Sequence, residues 1–133
     1  MSLLRRREMM ENQEQEENVI YIDAGFLEQN TSTAFSESTY NPGYPNAYSS
    51  TCIPVKFNDD IKCDTTVNMG QQRVRGYDED GTYRANYMSF DIAINTITKY
   101  IRFVCINGIG ELKSITVTHA DGTSDTYKII DRR

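Results

Sequence analysis

Residues 112–130 read LKSITVTHADGTSDTYKII. Two runs rich in β-branched and aromatic residues, Leu112–Thr118 and Thr123–Ile130, flank His119-Ala120-Asp121-Gly122. Asp-Gly supplies the positive φ that a tight hairpin turn requires, so this stretch predicts two antiparallel strands. The same period of two recurs upstream. Val19–Ile22 is a short apolar strand, and one parity of Thr51–Phe57 carries Ile53, Val55 and Phe57. Pro54 cannot donate to a ladder, which places that run at an edge or a bulge. Ile61–Val67 and Met88–Ile94 alternate. Lys99–Ile106 is apolar on one parity (Ile101, Phe103, Cys105) and mixed on the other, as expected of a central strand. Asp78-Glu79-Asp80-Gly81 marks a second turn after Arg73–Tyr77.

No segment carries a helical stripe of core length. About eight short strands with regular turns predict an all-β fold, an antiparallel, jelly-roll-like β-sandwich. Ser38–Tyr48, with two prolines and three tyrosines, predicts a long surface loop.

The remaining chain has a different character. Residues 1–17 begin MSLLRRREMM and continue as a Glu/Gln/Asn run that cannot bury enough apolar surface to order itself. This divides the chain into an extended N-terminal tail, residues 1–17, and a β-sandwich domain, residues 18–133. The tail reads as a linear peptide for a groove on a partner. Leu3, Leu4, Met9 and Met10 would be its apolar anchors, and Arg5, Arg6 and Arg7 its ion-pair donors. The basic residues are followed by no apolar run, so a signal peptide is not expected.

At 133 residues the chain is long enough for one core. Its net charge of −5 argues against a nucleic-acid partner, and its mean hydropathy of −0.58 and short apolar runs argue against a membrane. Cys52, Cys63 and Cys105 form no CxxC pair; free thiols, Cys63 and Cys105 among them on apolar parity, suit maturation in a reducing cytoplasm. A Cys52–Cys63 bridge is the alternative.

Candidate chemistry is sparse. His119 is the one histidine, and its turn position predicts exposure rather than a Ser–His–Asp arrangement. The glycines of Gly108–Lys113 predict a bend between strands, not a phosphate loop, because no helix follows. The acidic turn Asp78–Asp80 offers hard oxygen ligands but lacks the other positions of a calcium loop. No catalytic set, metal site or cofactor is expected. The tyrosines Tyr40, Tyr44, Tyr48, Tyr83 and Tyr87 carry two readings: a ligand surface in which rings stack on sugars, or caps on the sandwich core.

Three stretches carry a family likeness. YSSTCIPVKFNDDI (48–61) resembles the S-x-Y-I-P-V-x-x-G-D-x-I stretch of small jelly-roll domains in tailed-phage fibre and virion proteins. GYDEDG (76–81) is similar to their F-Y-D-x-x-G/K strand and turn, and KYIRF (99–103) to their x-Y-I-R-x strand. Asp59-Asp60 replaces the usual Gly-Asp, and Gly76 replaces an aromatic. The hairpin from Leu112 to Ile130 extends beyond the last shared strand. MSLLRRR (1–7) looks like an N-terminal tag on proteins of gut Bacteroidetes phages and prophages.

The resemblance implies a non-enzymatic virion structural protein: a head fibre, a capsid decoration, or a tail fibre or adhesin subunit. It would be assembled in the host cytoplasm, docked on a capsid or tail protein, and available for host-surface glycans. Fibres of this kind form symmetric homo-oligomers, here expected to be a trimer, with the mixed face of Lys99–Ile106 as the expected interface. A stand-alone carbohydrate-binding module is the second reading, and a hydrolase built on His119 the third.

Overall fold

The computed structural model describes residues 18–133. The expectations placed on residues 1–17, including the anchoring roles of Leu3, Leu4, Arg5, Arg6, Arg7, Met9 and Met10, lie outside the described residues. All regular structure among the described residues is strand. In chain order the strands are β1 (Val19–Ala24), β2 (Tyr48–Ser50), β3 (Ile53–Pro54), β4 (Asp60–Thr65) and β5 (Gln72–Tyr77). β6 (Tyr83–Tyr87), β7 (Asp91–Ala93), β8 (Tyr100–Cys105), β9 (Leu112–Thr118) and β10 (Ser124–Asp131) follow.

The strands join in the order β6-β5-β8-β2-β1-β10-β9-β4-β7, with the two-residue β3 set beside β8. The two ends of this path, β6 and β7, are connected by Met88-Ser89-Phe90 alone. That short link bends the sheet into a nearly closed, sandwich- or barrel-like shape around one core. Ile20, Ile53, Ile61, Val74, Ile101 and Ile115 are fully buried there.

The closing hairpin forms as its sequence predicts. Ser124↔Thr118 through Tyr127↔Ile115 pair antiparallel, and Gly122 takes φ +88° in the turn. Leu112 and Ile115 stand on opposite parities yet both face the core. A bulge opposite Asp64 and Thr65 resets the register between them.

One pair departs from the antiparallel expectation. β1 runs parallel to β10, with Val19↔Lys128 through Ile22↔Asp131 in register. The hairpin leaves the outer edge of β10 open, and β1 fills it in the same direction because the whole domain intervenes as their connection. The sheet is therefore mixed.

β8 is central, and it is buried on both faces. Ile101, Phe103 and Cys105 face the core, whereas Arg102 and Val104 are covered by the segment 26–37 and its return. The mixed face of Lys99–Ile106 is therefore not free to form an oligomer interface. Part of the loop predicted to lie at the surface folds back over the sheet: Phe26 bridges Thr39, and Leu27 and Ala47 pack on Val104.

Candidate functional site

Antiparallel pairing between β5 and β8 sets Arg75 directly opposite Arg102 on the outer face of the sheet. Facing residues lie about 5 Å apart at Cβ, where like charges destabilise a sheet. The two guanidinium groups diverge. Arg75 donates from Nη1 to the Leu27 carbonyl and lies over the Phe26 ring at 5.2 Å from its centroid. Arg102 donates from Nε to the Ser50 carbonyl (2.8 Å) and from Nη1 to the carbonyls of Thr33 (3.2 Å) and Ser36 (2.5 Å).

Arg102 is only 4% exposed and Arg75 is equally buried, and neither joins an ion pair among the described residues. Burial lowers the pKa of both below the ordinary arginine value. Both nevertheless stay charged at neutral pH. Beside them the hydroxyl of fully buried Tyr77, with Ser32 as its polar neighbour, makes no hydrogen bond of good geometry among the described residues.

Arg102 forms part of the lining of an open cleft of about 490 Å³ between β1 and the segment 34–38. Its hydrogen bonds use Nε and Nη1, leaving Nη2 to the cleft. At the rim Arg132 holds Asp23 with two parallel bonds, Nε–Oδ1 2.9 Å and Nη2–Oδ2 2.7 Å. Phe35 projects at the mouth, 64% exposed, its ring held edge-on by Tyr100 at 5.2 Å. Cys52 also lines the cleft, and burial raises its thiol pKa.

A second cleft lies at the end of the domain where Asn18 enters. His119 lines it, and the structure corrects the expectation of a simply exposed turn residue. Its side chain is 29% exposed, and both ring nitrogens are engaged: Nδ1 with Asp59 Oδ1 at 2.9 Å and Nε2 with Asp125 Oδ2 at 2.8 Å. Asp59 is buried, and its other oxygen accepts from the Lys56 amide at 2.8 Å. Hydrogen bonds to Asp125 first, then to Asp59, raise the histidine pKa. Among the described residues no serine, threonine or cysteine lines this cleft. The arrangement links two carboxylates through one imidazole, each ring nitrogen facing one of them.

The five tyrosines do not converge. Tyr40 is 72% exposed, and Tyr44 stacks on Phe26 at 4.4 Å between centroids. Tyr83 accepts from Gln29 Nε2 at 2.9 Å, close to the covering segment. Tyr48 takes the core reading: it opens β2, is 3% exposed, and packs under Arg133 at 4.2 Å. Tyr87 also packs against the core, its hydroxyl 2.9 Å from Thr98 Oγ1. Core packing claims these two because Tyr48 lies in a fully buried strand and Tyr87 stands opposite the core residue Val74.

The acidic turn is organised by Asp78. Its Oδ1 accepts from the amides of Asp80 and Thr82, and its Oδ2 pairs with Arg84 at 2.8 Å. Gly108–Glu111 is a bend between β8 and β9, as expected. All three cysteines are free thiols.

The Arg75–Arg102 pair escaped the sequence reading. Its signal was the charge at Arg102 inside an otherwise apolar run, flanked by Ile101 and Phe103. No protein-family model, curated protein or solved structure matches this chain.

Proposed function

We propose that this chain is a virion structural protein of a tailed phage: a head-fibre, capsid-decoration or tail-fibre subunit. In this reading residues 1–17 dock on a capsid or tail protein and the domain, a jelly-roll-like module, is displayed outward for assembly or host attachment. It acts by binding, assembles in the host cytoplasm, and gains avidity from repetition around the particle as a symmetric oligomer, with a trimer as the expected form.

The observation that carries the reading is where the three family-like stretches meet. They are separated in sequence, yet Ile53 and Pro54 of the first pair with Ile101 and Tyr100 of the third. Gly76 and Tyr77 of the second pair with the same two residues from the other side of β8. A chance set of short motifs has no reason to share one patch of sheet.

The position of Asn18, the first described residue, is compatible with display. Asn18 lines the His119 cleft, whereas Asp23 lines the Arg102 cleft. Five residues of strand separate them by roughly 17 Å. Anchor and ligand surface can be engaged at once at that spacing.

The test is incorporation. Gradient-purified particles from producing cells are expected to carry the full chain and to lose it when residues 1–17 are deleted. Retention of the truncated chain would remove the anchoring role. A stand-alone carbohydrate-binding module is the second reading, favoured by the Arg102 cleft and its exposed ring; it requires glycan binding with no particle association.

A further inference from the structure

We propose that the Arg102 cleft binds a carboxylate-bearing sugar unit of a glycan, with Arg102 receiving the carboxylate and Phe35 the apolar face of the ring. This rests on the display reading and deepens it by naming a ligand class.

A guanidinium taken out of water with no counter-ion is unfavourable, and Arg102 is in that state. Asp23 is the carboxylate whose charge reaches it, and Asp23 is already held in a two-bond grip by Arg132. An arriving anion would supply the missing charge. Two N–H groups on Nη2 remain for it.

The neighbouring hydroxyls have defined polarity. Thr51 Oγ1 accepts from the Tyr21 amide at 3.0 Å, which frees its own hydrogen for a ligand oxygen. Ser38 Oγ donates to the Ala24 carbonyl at 3.0 Å and so presents a lone pair to a ligand hydroxyl. Arg102 and Thr51 supply donors and Ser38 an acceptor within one lining, the set that an acid-bearing polyol calls for.

Phe35 completes the match. Its exposed ring is fixed at the mouth by Tyr100, and a flat apolar surface suits the C–H face of a pyranose. The cleft, about 490 Å³, falls within the range of small-ligand sites. The Arg102 guanidinium can balance one negative charge, with Nη2 and the Thr51 hydroxyl as donors; with Glu37 also in the lining, a phosphate dianion is disfavoured further.

The experiment is a titration of the full ¹⁵N-labelled chain with N-acetylneuraminic acid and with glucuronic acid, using glucose and acetate as controls. Saturable shifts are expected at the Arg102 Nε–H, which the Ser50 carbonyl holds in place, and at the Thr51 and Ser38 amides. For one sugar unit at one charge, a Kd on the order of 1 mM is expected. Arg102→Lys should weaken binding by about tenfold, since Lys lacks the planar fork. Phe35→Ala should weaken it several-fold with the folded far-UV circular dichroism spectrum retained, and it carries the test should Arg102→Lys fail to fold.

Absence of saturable shifts with both acids would overturn the proposal, as would equal responses to glucose or acetate. Binding that survives Phe35→Ala undiminished would do the same. Particle incorporation reads a different segment, so failure here and failure of the virion reading are separately visible.

Discussion

Replacing His119 with alanine should destabilise the domain in a pH-dependent way. The substitution strips one of two hydrogen bonds from the buried Asp59 carboxylate, leaving the Lys56 amide as its partner. A charge-assisted bond of this kind contributes about 1.5–3 kcal/mol. The imidazole is 29% exposed and Asp125 is more open, so solvent screening reduces the net loss to about 1–2 kcal/mol.

The sign follows from the raised histidine pKa. An unfolded imidazole titrates near 6.5, so the stabilisation is fully present below about that pH. It is lost as the pH climbs through the higher folded value. The protonated ring donates from both nitrogens, but the neutral ring has one N–H for two carboxylates.

Urea unfolding followed by far-UV circular dichroism suits a chain without tryptophan. The gap between the native chain and His119→Ala should be about 1–2 kcal/mol near pH 5.5 and clearly smaller near pH 8.5. Asp125→Asn should flatten the pH dependence while retaining the Asp59 contact. A gap that stays constant, or widens with rising pH, would refute the reasoning.

Tyr48→Ala should cost about 3–5 kcal/mol by opening the core, whereas Tyr40→Ala should stay within about 0.5 kcal/mol; thermal melts of the two variants decide this. Gly110 takes φ +95°, and a Cβ added there would stand only 2.8 Å from Val67 Cα, so Gly110→Ala should lose about 1–3 kcal/mol by chemical denaturation. Burial pushes the Cys63 thiol up to about 11 and raises Cys52 and Cys105 as well. Thiolate is the reactive form, so Ellman's reagent near neutral pH should react slowly with the native chain and quickly with all three thiols in denaturant. A fast stoichiometric reaction of the native protein would contradict that burial.

Local signals in the sequence predicted part of the strand pattern: β4, β8 and the closing hairpin followed them, whereas β6 carried no strand expectation and Met88–Phe90 is the link into β7. Alternation placed Ile61, Ile101 and Phe103 in the core, and Asp121-Gly122 located the hairpin. Pro54 fell, as expected, on a strand outside the main path of the sheet. What escaped depended on distance along the chain. His119 meets Asp59 across 60 residues, and Asp59 itself stands where the resembled domains have glycine. Nothing local marks such a partner. The covering segment 26–37 has no period to read, so neither the burial of Arg102 nor its cleft was visible. Tyr48 and Tyr87 looked like their exposed counterparts because a tyrosine's composition does not reveal which way its strand faces.

The parallel pairing of β1 with β10 has a consequence for biosynthesis. Asp23 and Arg132, which grip one another beside that pair, stand 109 residues apart. On the ribosome the first strand emerges long before its neighbour, and the nascent polypeptide must wait with one side of that strand unsatisfied. Pairing therefore waits until residues 124–131 have left the ribosome, and during the delay the waiting edge is open to strangers, including sister chains on the same messenger.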